Sequence, residues 1–407
     1  MILPRYAGEL LARALRVFPV VVLMGARQTG KSTLVRSHSL LQNRPYLTLD
    51  DLGIRGEARD APEDLVRRAP QLVLDEVQRE PNLLLAIKGA VDEDVPRAPG
   101  RFVLTGSANL LLMERVSESL AGRAGYVSLW PMTRQELAGK GQPGLWDDFF
   151  EHPVERWHDL VQQRDAKEGN WQAETRRGGL PVPAYELSAP EDRKLWFDGY
   201  VGTYLERDLN ALSAIENLPD FRRLMQATCL RLGQLMNQAD LGRDVGLPRA
   251  TVHRYLNLLE ASFQLVRLHS YSVNRTRRII KAPKLYWSDT GLALHLSREE
   301  TPRGAHLENF ILTDLLAWRE GKTPKPEILY WRTTSGQEVD FVVEQGDALL
   351  GIEVKAGPRP SHRDARHLRV FLDEYPDLAR GGLLLHGGKD VFRMGPRILA
   401  VPWWRVL

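Results

Sequence analysis

The run Gly25-Ala26-Arg27-Gln28-Thr29-Gly30-Lys31-Ser32 fits G-x-x-x-x-G-K-[ST] at every fixed position. Each residue type has a physical reason to be there. The glycines let the backbone wrap phosphate oxygens with its amides turned inward. A helix opening at Lys31 adds a favourable field for an anion. Lys31 is placed to reach terminal phosphates, and Ser32 to ligate Mg²⁺. The expected contact set is Gly25, Ala26, Arg27, Gln28, Thr29, Gly30, Lys31, Ser32 and Thr33, and the expected cofactors are ATP and Mg²⁺.

A second acidic element complements the loop. Gln71-Leu-Val-Leu-Asp75-Glu76 is an apolar run ending in two acids. Its place in the chain, one helix and one further strand after the loop, suggests that the acids face a cation. Asp75 is expected to hold the metal and Glu76 to orient an attacking water. Phe102-Val-Leu-Thr-Gly-Ser-Ala-Asn109 again runs from apolar to small polar residues. Thr105, Ser107 and Asn109 are candidates for sensing a γ-phosphate.

A third group lies near the other end. Asp340 and, in Leu349-Leu-Gly-Ile-Glu353-Val-Lys355, Glu353 and Lys355 form D-x(12)-E-x-K. Glu353 and Lys355 are two apart and share one strand face. Two acids (Asp340, Glu353) can bind a second Mg²⁺ or a Mn²⁺, and a lysine beside them can orient water for phosphodiester attack.

These residues need elements to position them. Short apolar runs at Pro19–Met24, Tyr46–Leu49, Gln71–Leu74 and Arg101–Thr105 alternate with helical stretches at Lys31–Ser37 and Leu83–Val91. Such alternation indicates a parallel sheet covered on both faces. Farther on, Gln238–Gly246 and Pro248–Leu259 read as two short helices joined by a glycine turn, a helix-turn-helix. Gln264–His269 would be the first strand of a wing. Arg249, Thr251, His253 and Arg254 lie on or near the second helix and are the candidate nucleic-acid contacts. The run Arg275, Arg277, Arg278, Lys281 and Lys284 is a candidate phosphate-holding surface. The C-terminal region returns to strands at Leu329–Arg332, Val339–Val343, Leu349–Val354 and Gly382–Leu385, after a helix over Leu307–Trp318. The expected organisation is an ATPase core at 1–135, a helical linker at 136–215, a winged-helix unit at 216–284 and an α/β domain at 285–407.

Composition sets outer limits. The 407 residues carry a net charge of only +3, so nucleic-acid binding must rest on local patches. The single cysteine, Cys229, excludes an intrachain disulfide and fits a reducing compartment. The N-terminus shows no signal-peptide pattern, and Val17–Met24 is far too short for a membrane span. A cytoplasmic location without membrane contact is expected.

The segments Gly25–Ser32, Leu72–Glu76, Leu104–Ser107 and Ser119-Leu-Ala-Gly-Arg123 resemble AAA-type ATPases of a widespread prokaryotic family. That family joins the ATPase to a C-terminal domain similar to PD-(D/E)xK nucleases. The resemblance covers nearly the whole chain, including Tyr204-Leu-Glu-Arg-Asp208 and Ser288-Asp-Thr-Gly291. It implies a γ-phosphate sensor or arginine finger at Arg123, and a homo-oligomer that completes each site. It also implies a further acid at Glu308 on the helix before the nuclease-like strands. The function implied is ATP hydrolysis coupled to action on DNA, branched or foreign DNA among the candidates. The alternatives are a nuclease acting on RNA, or an ATP-controlled switch whose C-terminal domain is an inert partner-binding module. Residues 140–175 are longer than the family pattern and have no expected role.

Overall fold

A computed structural model describes residues 2–106, 120–203, 215 and 217–407. The N-terminal sheet contains β1 (Val20–Met24), β2 (Tyr46–Thr48), β3 (Leu72–Asp75), β4 (Phe102–Thr105) and β5 (Ala124–Ser128). Their order is β2-β3-β4-β1-β5, and every pairing is parallel. Helices α1 (Ala7–Val17), α2 (Lys31–Ser37), α3 (Leu52–Asp60), α4 (Pro62–Arg67) and α5 (Leu83–Glu93) accompany it. Two apolar layers result. Val20, Val22, Leu72 and Leu74 pack with Ile87 and Val91 of α5. Val21, Leu23, Val73 and Val103 pack with Leu11 and Leu15 of α1. Strands buried on both faces have no polar alternation, which is why these runs are continuously apolar. β5 was not expected, because Ala124-Gly125-Tyr126 lacks such a run.

The middle region holds the helices Leu218–Leu230, Gln238–Val245 and Arg249–Ala261, followed by β6 (Leu265–Leu268) and β7 (Lys284–Trp287), which pair antiparallel. Gly246 stops the first helix of the expected pair with φ +70°, a left-handed conformation that favours glycine. The Leu247 amide then bonds back to the Gly242 carbonyl at 2.8 Å. Cys229 is buried in the same apolar core. The boundary expected at 284/285 falls inside β7.

The C-terminal sheet comprises β8 (Glu327–Arg332), β9 (Glu338–Gln345), β10 (Ala348–Lys355), β11 (Ala379–His386), β12 (Phe392–Arg393) and β13 (Ile398–Pro402), in the order β12-β13-β11-β10-β9-β8. β8, β9 and β10 form an antiparallel meander, while β10, β11 and β13 run parallel. The long helix Gly304–Glu320 covers one face through Leu307, Ile311 and Leu315 against Phe341, Leu350 and Ile352. The helix Arg366–Glu374 covers the other through Leu368 and Phe371 against Val342 and Leu349.

Residues 140–175 pack on this C-terminal unit. The Trp146 indole donates to Asp314 at 2.6 Å, and buried Trp157 lies against Gly381 of β11. The two sheets are tied together elsewhere as well. Arg13 of α1 donates to the Gly321 carbonyl at 3.3 Å. The Gln135 amide donates to the Leu407 carbonyl at 2.7 Å, and Arg164 donates to the Arg405 carbonyl at 3.1 Å. Among the described residues no helix is long and apolar enough to cross a membrane.

Candidate functional site

The phosphate loop connects β1 to α2 at the C-terminal end of the parallel sheet, where such sheets place their ligands. Gly25 is held at φ +150°, and a Cβ there would lie 2.3 Å from the Leu129 carbonyl oxygen. No larger residue fits without moving β5. Gly30 caps α2 at φ +91°. Gln28, which has a side chain, also takes a positive φ of 62°. A non-glycine residue pays about 1 kcal/mol or more for that conformation, so the loop is held in shape by its surroundings.

Those surroundings include residues far away in sequence. Arg5 donates to the Thr29 carbonyl at 2.7 Å and the Trp130 carbonyl at 2.6 Å, and it pairs with buried Glu136 at 3.2 Å. Pro181 lies against Gly30. The turn that carries Pro181 is fixed by buried Asp289, which accepts from the Gly179 and Leu180 amides at 2.6 and 3.0 Å. The Tyr200 hydroxyl donates to the Arg27 carbonyl at 3.4 Å. None of these supports was expected from the sequence. Only the resemblance at Ser288–Gly291 marked one of their positions.

Lys31 is 6% exposed. Its ammonium donates to the Gly25 and Ala26 carbonyls at 3.0 and 2.8 Å and so lies across the loop mouth. Burial lowers its pKa to about 8, against the opposing pull of Glu76 and Asp75. Ser32 Oγ donates to Asp75 at 3.2 Å, and the Thr105 and Tyr46 hydroxyls also donate to this carboxylate. One buried carboxylate thus gathers three hydroxyls from α2, β4 and β2. Ser32 and Asp75 are hard oxygen donors side by side, which fits magnesium. Glu76 sits at φ +59°, just beyond β3, with the Gln78 amide donating to it. Burial and the adjacent Asp75 raise its pKa, while Lys31 and Gln78 oppose the rise. A raised carboxylate pKa suits a group that takes a proton from water. Thr33 is exposed on α2. Ser107 and Asn109 lie outside the described residues.

Arg123 is not brought to this loop. It directly precedes β5, and its carbonyl accepts from the Val20 amide at 3.2 Å, at the N-terminal end of β1. The loop follows the opposite end of that strand. The guanidinium forms a two-pronged pair with Asp92 of α5, both bonds at 2.7 Å.

The C-terminal residues do converge electrostatically. β9 and β10 part beyond the Phe341–Ile352 pair, and Asp340 Oδ2 fills the gap by accepting the Val354 amide at 2.9 Å. Lys355 pairs with Glu353 at 2.6 Å, and Glu308 accepts from the Tyr286 hydroxyl at 3.1 Å. Burial and the facing Asp340 raise the pKa of both Glu308 and Glu353. A residue not assigned to this group joins it. Lys284 of β7 bonds to Glu338 at 2.5 Å and Asp340 at 3.4 Å. The residues present do not fit the expected second Mg²⁺ or Mn²⁺. Among the described residues no three Asp, Glu, His or Cys side chains form a ligand set.

The expected phosphate-holding run is corrected for the same reason. Lys284 and Arg278 are buried and paired, Arg278 with Glu327 and Glu344 at 2.8 and 2.5 Å. Arg275, Arg277 and Lys281 are exposed. On the Arg249–Ala261 helix, Arg249, His253 and Arg254 are exposed and Thr251 is half-buried. His253 is engaged by the Asn257 amide at 3.1 Å.

Residues 17–138 match the family described as an AAA domain. Residues 170–303 and 303–406 match two domains of unknown function, DUF8612 and DUF4143. The uncharacterised proteins Rv2008c of Mycobacterium tuberculosis and Mb2031c of Mycobacterium bovis are each 33% identical, covering 99% of this chain and 84% of the relative. Among solved structures, the Walker-type ATPase PABY2304 of Pyrococcus abyssi aligns at TM-score 0.39 and 17% identity, covering 71% of this chain and 94% of that one.

Proposed function

We propose, for a chain that belongs to the family of the mycobacterial proteins Rv2008c and Mb2031c and carries an AAA-type P-loop ATPase domain, that Mg²⁺-dependent hydrolysis of ATP to ADP and phosphate drives an action on DNA. The observation that carries the ATPase half is the convergence of Lys31, Ser32 and Asp75 at one strand end. The loop amides and Lys31 hold the phosphates. Ser32 and Asp75 hold magnesium, which when bound neutralises charge on the terminal phosphates. Glu76 orients the attacking water and accepts its proton. Arg123 faces away from its own loop, so in this reading it serves the site of a second copy, and the working form is a homo-oligomer. Arg249, Thr251, His253 and Arg254 supply the DNA contact.

Phosphate release from ATP tests the catalytic part. Glu76→Gln is expected to keep nucleotide binding and lose turnover by about 100-fold or more. Fluorescence anisotropy with duplex and branched DNA tests the rest. Arg249→Ala with Arg254→Ala is expected to weaken binding and flatten its salt dependence. Absence of DNA binding by the intact chain at low salt sinks the DNA half and leaves the ATPase half standing.

A second reading is an ATP-controlled switch in which the C-terminal domain only binds a partner. The pairing of Lys284 with Asp340 favours it.

A further inference from the structure

In the C-terminal carboxylate cluster, a cation is already present as part of the chain. Lys284 enters from β7 and is 2% exposed. Its ammonium lies 2.5 Å from Glu338 Oε1 and 3.4 Å from Asp340 Oδ1, with the Tyr330 ring centroid 5.8 Å away. Burial alone works against the charge on this amine, but Asp340, Glu308 and Glu338 outweigh it and hold it protonated.

Three other oxygens of the cluster are engaged in turn. Asp340 Oδ2 takes the Val354 amide, Glu308 Oε2 takes the Tyr286 hydroxyl, and Glu353 Oε1 takes Lys355. Glu353 Oε2 is buried and has no partner. A divalent ion needs several oxygens within about 2.0–2.6 Å of a single point. Here Asp340 spends one oxygen on the ladder between β9 and β10 and the other on an ammonium. Removing the Lys284 charge would leave three carboxylates, Glu308, Asp340 and Glu353, with Lys355 as their remaining cation and the orphaned Glu353 oxygen among them, while Glu338 keeps Arg332 at 2.9 Å. Buried like charges of that kind must protonate or gather a cation.

We propose that Lys284 is the resident counter-cation of this cluster, that it closes the cluster to divalent metals, and that neutralising it opens a metal site at Asp340 and Glu353. The lysine is supplied by a strand of the middle region, so the C-terminal domain does not set its own metal affinity.

The test is a Mn²⁺ titration of the full chain without nucleotide, read from the loss of the free-ion electron paramagnetic resonance signal. An Asp75→Asn background keeps the phosphate-loop site out of the signal. With Lys284 intact, no uptake that depends on Asp340 is expected. Lys284→Met is expected to gain Mn²⁺ affinity on the order of tenfold or more, and adding Asp340→Asn is expected to abolish the gain. Mn²⁺ uptake by the Lys284 protein that Asp340→Asn removes would overturn the proposal. So would a folded Lys284→Met variant with no gain. If Lys284→Met does not fold, the Lys284-intact arm decides by itself: Asp340-dependent uptake overturns the proposal and its absence supports it.

Discussion

The side-chain amide of Gln264 donates to the hydroxyl of Tyr200 over 3.1 Å, and that hydroxyl donates onward to the phosphate-loop carbonyl of Arg27. Gln264 directly precedes β6, and its own carbonyl accepts from the Ser288 amide at 2.9 Å, just past β7. The loop that would hold nucleotide is therefore hydrogen-bonded through two side chains to the hairpin that carries Lys284. Tyr200→Phe removes the shared hydroxyl and leaves the buried Gln264 amide only its long contact to the Ser262 carbonyl at 3.5 Å. The expected cost is about 1–3 kcal/mol in urea unfolding. A loss below about 0.5 kcal/mol would mean that the relay contributes nothing.

Lys31 gives nucleotide binding a pH signature. Burial holds the pKa of its amine at about 8, and a bound triphosphate favours the charged form. Below that pH the lysine is already charged and binding moves no proton on it. Above it, binding must recruit a proton, so affinity for ATP falls as pH rises through about 8. Calorimetry in two buffers of different ionisation enthalpy should show proton uptake at about pH 9 that is absent at about pH 6.5. The same uptake in Lys31→Met would assign it to another group.

Arg123 and Asp92 make an ion pair near the surface, where such pairs contribute little. Arg123→Ala should leave the melting temperature nearly unchanged. If the arginine completes a neighbour's site, turnover should drop by about 1,000-fold, and wild-type specific activity should rise with protein concentration. Wild-type turnover per chain that does not vary with concentration would confine catalysis to the single chain.

Asp314 is buried beneath the Trp146 indole and the Gly144 amide. Burial raises its pKa to about 6 despite those donors. Its ionised form is therefore disfavoured in the fold. The stability it contributes is fully present below about pH 4 and is lost as pH rises to about 6. The difference in unfolding free energy between wild type and Asp314→Asn should change by up to about 3 kcal/mol across that window and stay flat above it. A flat difference throughout would show that folding leaves the pKa of Asp314 unshifted.

The meeting of the loop with Asp75 was legible because each half is local. The loop needs eight consecutive residues, and Asp75 announces itself by ending an apolar strand. The helix pair at 238–261 was legible through Gly246. What stayed hidden depends on partners distant in sequence. Lys284 reads as one more member of a basic run, since Glu338 and Asp340 lie more than fifty residues away. Arg278 was misread for the same reason. The direction in which Arg123 points is set by β5 pairing parallel to β1, and β5 has too few large apolar residues to be seen. Residues 140–175 looked like an insertion because their tryptophans are covered only once the C-terminal sheet is folded.

The grip of Arg5 on Thr29, Trp130 and Glu136 has a practical bearing. A fragment cut after residue 135 would lose Glu136, the Pro181 turn and Tyr200 together. Its phosphate loop would keep its sequence and lose the walls that shape it. Kinetic constants measured on such a fragment would describe a slacker machine than the whole molecule.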